Sequence, residues 1–383
     1  MNKGTREKAK PIKLVIIGGG YAGLSALITL RKQAPDADIT LIDPRPSHLI
    51  ITRLHETVHH PLDKFQIPYS LLAKRFDFIH KRQKVLFDEE QLRVWESQKA
   101  VQLDQESVSF DYLLIATGAL PIESKTESDV YDLNAISQHG FAGILERFIA
   151  TTDIHVKTIN IVGAGPTGIQ FAFEIAHVLQ ACHADYQLNL IEGGDKLLGA
   201  FPSAIGRYVE KRLDEKHIRL LKSQFYKGQQ GKAILLESSH SGEKSVHASD
   251  LTLLLPGKKP ERVLHANSSG QVVLDHQVLK PIFTAGDCSH YDEMGSNLMT
   301  AQSALRKGKA AANNILREAG RLFFCLPYMH QDNGYLLSLG PGDAVGWIGS
   351  KNTIISGLPA FLAKEASEAQ YDWLLSGIDT YVV

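Results

Sequence analysis

The chain of 383 residues is poor in cysteine, with Cys182, Cys288 and Cys325 far apart and no C-x-x-C or C-x4-C pair. That excludes a disulfide-stapled scaffold, a cysteine-rich zinc module and a local redox disulfide. It also lacks an excess of charge: 41 basic against 42 acidic side chains leave a net charge of −1, without the basic balance of a nucleic-acid binder. No uninterrupted apolar run reaches the roughly 18 residues of a membrane span. The basic arm Met1–Lys10 leads into a glycine-broken apolar run with no small-residue cleavage site, a poor signal peptide. The expectation is a cytoplasmic protein. No G-x-S-x-G elbow and no Walker lysine motif occurs, and there is no low-complexity linker.

What the chain does contain is a repeated strand–turn–helix–strand pattern. Ile12–Ile17 reads as a buried parallel strand, glycines break it, Leu24–Leu30 resumes at helical spacing, and Ile39–Ile42 ends at Asp43 before Pro44-Arg45-Pro46. The order recurs 145 positions later: Thr158–Val162, the turn Gly163–Gly168, the helix Ile169–Leu179, then Leu188–Ile191 ending at Glu192. Further strands are expected at Asp111–Ala116, Pro281–Ala285 and Tyr335–Leu339, with helices at about Thr300–Leu316 and Pro359–Ser376. Ala233–Leu236 and Leu251–Leu255 read as strands flanking a hairpin turn at Ser238–Gly242. The expected class is α/β: two Rossmann-like dinucleotide-binding domains plus a smaller α+β C-terminal region. The expected bounds are 11–120 with 275–322 for FAD, 121–274 for NADH, and 323–383 for a C-terminal domain that is a candidate dimer or membrane contact.

Gly18-x-Gly20-x-x-Gly23 sits where strand meets helix. The first glycine permits the tight turn, the second the approach of a pyrophosphate, the third close helix–strand packing, and Asp43 lies where a carboxylate meets ribose hydroxyls. Gly163-x-Gly165-x-x-Gly168 repeats this logic. Glu192 there favours NADH over NADPH, since a carboxylate bonds the 2′-hydroxyl and repels a 2′-phosphate; Lys196 is nearby, but no arginine follows directly. Two such units suggest hydride passage from nicotinamide to flavin, a step needing neither nucleophile nor base. Gly286-Asp287 reads either as a holder of flavin ribityl hydroxyls or as a plain turn, and the helix from about Thr300 would point its positive end at the flavin.

His55-Glu56-Thr57-Val58-His59 matches the zinc motif H-E-x-x-H, but Pro61 stops any helix two residues on and no third ligand is nominated. Packed or surface histidines are the competing reading, and no metal is expected. His290 reads as a packed turn residue or an acid. Leu362, Ala366, Ala369 and Trp373 form a stripe suited to core packing, a dimer contact or shallow docking on a bilayer. The net charge of −2 over 351–383 works against anionic lipid.

These landmarks resemble the two-dinucleotide flavoprotein reductases over nearly the whole chain, and within them type II NADH:quinone oxidoreductase, the single-subunit NADH dehydrogenase. The resemblance rests on Ile16–Gly23, Ile42-Asp43, Asp111–Gly118, Val162–Gly168, Phe283–Asp287 and the more particular Thr300-Ala301-Gln302-Ser303-Ala304. It implies FAD on Gly18, Gly20, Tyr21, Ala22, Gly23, Asp43, Gly286 and Asp287, with Val85 near the adenine and Thr117-Gly118 on the route to the flavin. It implies NADH on Gly163, Gly165, Gly168 and Glu192, with His48–Glu56 passing over the flavin and Ala301-Gln302 beside a quinone head. Gln170 stands on the nicotinamide side where the family has glutamate, and Arg306-Lys307 replace a Gln-Gln pair. The paired cysteines of the redox-disulfide relatives are missing, and only Cys288 could serve the sulfide:quinone chemistry that needs two.

The expectation is therefore an FAD-dependent NADH dehydrogenase passing two electrons to a quinone or similar acceptor, cytoplasmic with a candidate peripheral place on the inner face of the membrane, and a candidate homodimer. A reductase of a small electron-carrier protein and a low-turnover FAD/NADH sensor stand beside it.

Overall fold

The computed structural model describes residues 11–122, 129–151, 156–324 and 326–381; the basic arm and Cys325 lie outside them. Lys13–Ile17, with four of its five residues buried, sits between Asp38–Ile42 and Tyr112–Ile115, parallel to both. These are interior strands of an eight-stranded sheet that runs Ser289–Tyr291, Leu264–Ala266, Gln271–Leu274, Gln277–Thr284, Tyr112–Ile115, Lys13–Ile17, Asp38–Ile42, Ile79–Lys81. Residues apolar on both faces cannot meet water on either, so each of these runs demands neighbours and covering helices. The sheet takes in two strands ahead of the expected boundary at 275.

A second, all-parallel sheet has the order Val130–Asp132, Leu251–Leu254, Lys157–Val162, Tyr186–Ile191, Ile218–Leu221. The helices Tyr21–Gln33 and Pro166–Ala181 follow the first strand of each unit. Leu251–Leu254 is thus a buried parallel strand, not the hairpin partner expected for Ala233–Leu236. That partner is Lys244–Ala248, which pairs antiparallel with Ala233–Ser238. Its residues are mostly exposed and polar, so it carries no hydrophobic alternation to betray it.

The C-terminal region is a three-stranded antiparallel sheet, Gly334–Ser338, Ala344–Ile348 and Ile354–Ser356, with the helix Leu358–Ser376 packed on it. The helix buries Ala360, Lys364, Tyr371, Leu374 and Leu375. Of the readings open for the stripe Leu362, Ala366, Ala369 and Trp373, core packing fails: Leu362 and Trp373 are 58% and 52% exposed. Tyr371 and the Lys364 stem take the inner positions because their polar ends find partners there, His48 and Glu368.

Helix Ala301–Glu318 crosses Tyr21–Gln33 so closely that a Cβ on Gly308 would sit 2.2 Å from the Ala22 carbonyl oxygen. Ser25 Oγ fastens the crossing by donating to the Leu305 carbonyl at 2.8 Å. Because backbone cannot yield as a side-chain tip can, Gly308→Ala should destabilise the protein by about 1–3 kcal/mol. Denaturant titration checks this, and an unchanged midpoint would refute the close crossing.

Candidate functional site

Each glycine turn is built by the same contacts. Gly18 has φ +103°, and a Cβ there would lie 2.2 Å from the Ala116 carbonyl oxygen. On Gly23 it would lie 1.9 Å from the Gly18 oxygen, while Gly20 faces open space. Gly163 has the same φ of +103°, with 2.2 Å to the Leu255 oxygen; Gly168 comes to 1.9 Å from the Gly163 oxygen, and Gly165 is open. The caps Gly20 and Gly165 offer no side chain to the first helical N–H groups. Those donors and the helix dipole remain available to an anion at both turns.

The first turn opens into a cavity of about 700 Å³. Gly18, Gly20, Tyr21 and Ala22 form one wall, Thr117-Gly118 and Gly286-Asp287 the floor, and Met299–Gln302 present the start of helix Ala301–Glu318. Thr300 Oγ1 caps that helix by accepting from Ser303 N at 3.1 Å. Pro166, Thr167 and Gln170, from the helix of the second unit, reach the same cavity. The C-terminal helix adds Lys364, Glu368 and Tyr371.

Several expected site residues stand apart from it. Gly163, Gly165, Gly168 and Glu192 do not line the cavity, nor does Val85, which packs in the cluster around Trp95 and Phe110. Glu192 Oε1 accepts from Gly194 N at 2.7 Å at the end of the second unit's strand. Asp43 is 2% exposed; its carboxylate accepts from Gly19 N at 2.7 Å and from Arg45 Nε and Nη2 at 3.0 and 2.8 Å. Burial alone would raise the Asp43 pKa; the Arg45 guanidinium and the backbone N–H groups of Gly19 and Arg45 outweigh it and hold the pKa below the ordinary range. Arg45, which lines the cavity, thus covers part of the Asp43 carboxylate. Asp287 lies 3.8 Å from Lys258 Nζ, and burial pushes its carboxyl up.

Neither residue of the substituted pair Arg306-Lys307 lines the cavity. Lys307 is 2% exposed and donates to the Ser289 carbonyl and Asn297 Oδ1, both at 2.9 Å, with burial drawing its pKa down to about 8. Arg306 lies over the Tyr381 ring. Buried Cys288 is likewise outside the lining, its thiol directed at the Ala285 carbonyl, and His290 sits on the surface near Asp292.

His55-Glu56-x-x-His59 runs from the 3₁₀ turn Ile51–Val58 onto its cap His59, and in a 3₁₀ turn residues three apart eclipse while residues four apart diverge. Glu56 is occupied by Arg53 Nε and Nη2 at 2.8 and 2.7 Å. The histidines instead face the helix of the second unit: Gln170 Nε2 donates to His55 Nε2 at 3.4 Å, and His59 Nδ1 lies 3.7 Å from Glu174. Among the described residues, no group of three His, Cys, Asp or Glu side chains is placed to hold a metal ion.

Sequence patterning missed Glu174, Arg45 and Lys258, and placed His48 only as the start of a segment over the flavin. Only the equal spacing of His55/His59 and Gln170/Glu174 hinted at the first.

The pyridine nucleotide-disulphide oxidoreductase family matches residues 12–308. The chain belongs to this family. Type II NADH:quinone oxidoreductases from Staphylococcus epidermidis and Staphylococcus aureus are 24% and 23% identical, over 96% of this chain and 96% of theirs. Among solved structures, NDH2 from Plasmodium falciparum in complex with NADH is similar, with TM-score 0.75, 15% identity and 94% of each chain covered. The sulfide:quinone oxidoreductase of Aquifex aeolicus has TM-score 0.77 and 18% identity, over 96% of this chain and 92% of that one. The two glycine turns thus have the architecture of the family's mixed α/β fold.

Within this family member, His48 ties the C-terminal helix to the first turn. Its Nδ1–H donates to the Gly19 carbonyl at 3.0 Å, so Nε2 accepts from Tyr371 OH at 2.7 Å. Burial holds it neutral, its pKa pushed down to about 4. Unfolded, the ring protonates below about 6.5, so acid favours the unfolded chain from there down to the folded pKa. About 3 kcal/mol of stability should be lost between pH 6.5 and 4 through this residue. His48→Gln, weaker at neutral pH, should show a shallower decline over that window in urea titrations; an equal decline would refute the buried neutral ring.

Proposed function

We propose that the protein is an FAD-dependent NADH dehydrogenase that passes two electrons from NADH to a quinone. The observation that carries this is the convergence of the two units on one cavity. The first unit supplies an open glycine turn and helix start, and the second supplies Pro166, Thr167 and Gln170. The fit to FAD is favourable at the turn, where Gly20 leaves space for a pyrophosphate and free N–H groups face it. Gly118 and Gly286, with φ +72° and +83°, let the chain bend away beside it. Bound there, FAD supplies the redox chemistry that no side chain here has.

In this reading Gly18, Gly20, Gly23 and Asp287 hold the flavin nucleotide. Gly163, Gly165 and Gly168 hold the pyrophosphate of NADH, and Glu192 accepts from its ribose. Ala301 and Gln302 border the acceptor, at a helix start whose dipole favours negative charge. The names of the Staphylococcus relatives support quinone as that acceptor. No helix among the described residues is long and apolar enough to cross a membrane. Phe323, Phe324, Leu326, Met329 and Leu298 are exposed, as is Met299, which lines the cavity; these apolar side chains support docking on a membrane surface, where a quinone dissolves.

Anaerobic NADH should bleach the flavin band of the FAD-loaded protein at about 450 nm, a property of the cofactor. A band that persists under excess NADH would refute the function. A hydrogen bond to a charged group contributes about 1.5–3 kcal/mol. Glu192→Ala should therefore cut the preference for NADH over NADPH, as the ratio of kcat/KM values, by about tenfold or more. Unchanged selectivity would show that Glu192 does not read the ribose.

A further inference from the structure

Four side chains form two rungs between the turn Ile51–Val58 with His59 and the helix Pro166–Ala181. The inner rung is Gln170 with His55, both lining the cavity. The outer rung is Glu174 with His59, one helical turn further along, about 6 Å by helix rise. The Glu174 side chain is 5% exposed and its Oε2 has no hydrogen-bond partner, whereas the His59 side chain is 29% exposed. A buried carboxylate without partners is costly, and the neutral acid relieves that cost.

Oxidation of NADH by a quinone needs one proton that NADH does not carry: NADH + H⁺ + quinone → NAD⁺ + quinol. We propose that Glu174 holds this proton, with His59 as its exchange point with solvent and the Gln170–His55 pair as its outlet to the cavity. This rests on the NADH:quinone reading above. The O–H bond of the Glu174 carboxyl breaks, an O–H bond of the quinol forms, and His59 passes the next proton from water to Glu174. One turn of helix is the span of a bridging water. His55 is kept neutral by burial, so a proton arriving at one ring nitrogen leaves from the other.

The surrounding charges set the group for this task. Burial and the neighbouring Glu56 push the Glu174 carboxyl up to about 7, opposed by Lys364 from the C-terminal helix. Arg53 neutralises much of Glu56, and Lys364 is itself bonded to Glu368. On the solvent side, burial with His60, His177 and Lys64 lowers the His59 pKa against the pull of Glu56, which keeps that ring ready to shed its proton.

The test separates the two half-reactions of the FAD-loaded protein by rapid mixing. Bleaching of the wild-type flavin by NADH reports the underlying function. Reoxidation by a short-chain benzoquinone reports the proton, and its rate should fall as pH rises through about 7. Glu174→Gln should reoxidise ~10-fold or more slowly at about pH 6, converge with wild type at about pH 8.5, and lose the pH dependence. Glu174→Asp should restore the falling profile. In 13C-glutamate-labelled protein, the carboxyl resonance absent from the Gln variant should titrate at about 7. If Glu174→Gln does not fold, the Asp variant and the unassigned high-midpoint resonance of the wild type decide. A bleached flavin whose reoxidation profile ignores Glu174, or no glutamate titrating above the ordinary carboxylate range, overturns the proposal alone. A flavin that NADH does not bleach overturns the function with it.

Discussion

A contact too tight for a Cβ governs this molecule. At Gly18 and again at Gly163 the chain turns from strand to helix with its backbone against the carbonyl of a neighbouring strand's end, Ala116 in one unit and Leu255 in the other. No other residue type tolerates both that approach and a φ of +103°. The turn brings the helix start to the carboxyl edge of the sheet with its first N–H groups unpaired, which is where an open α/β sheet binds its ligands. The crossing at Gly308 extends this economy of space, pressing a second helix against the first and carrying its own N-terminus to the same cavity.

Much of this was legible because glycine spacing and continuous apolar strands report backbone constraints directly. The order of elements in both βαβ units, the strand before Gly286 and the helix after Thr300 follow from such local signals. Core packing, one of the readings of the C-terminal stripe, fails for a physical reason. Leu362, Ala366 and Trp373 have helical spacing, but the inward positions went to Lys364, whose ammonium is satisfied one turn along by Glu368, and to Tyr371, whose hydroxyl meets His48, distant in sequence. The hairpin partner Lys244–Ala248 was hidden because a solvated edge strand need not be apolar.

The candidate site was legible in its glycines and not in its charges. Nothing in the local pattern around Asp43 says that Arg45 folds back onto it, or that Lys307 is drawn away beneath Tyr291 and Tyr328. Those placements depend on the tertiary field, where a charge is buried only if its hydrogen bonds are supplied. The H-E-x-x-H segment illustrates the point: the same five letters on an α-helix would aim two imidazoles at one ion, while on a 3₁₀ turn they meet Gln170 and Glu174 separately.

The proposed function divides labour between the turns, the first for the flavin nucleotide and the second for the pyridine nucleotide. Gly20 and Gly165 both face open space, so a valine at either leaves the packing intact and blocks only the approach of a pyrophosphate. The decisive measurement is stoichiometric FAD retention and anaerobic NADH reduction in Gly20→Val and Gly165→Val. The account predicts colourless protein from the first and yellow protein that NADH reduces poorly from the second. Full flavin in Gly20→Val, or flavin lost only from Gly165→Val, would contradict it.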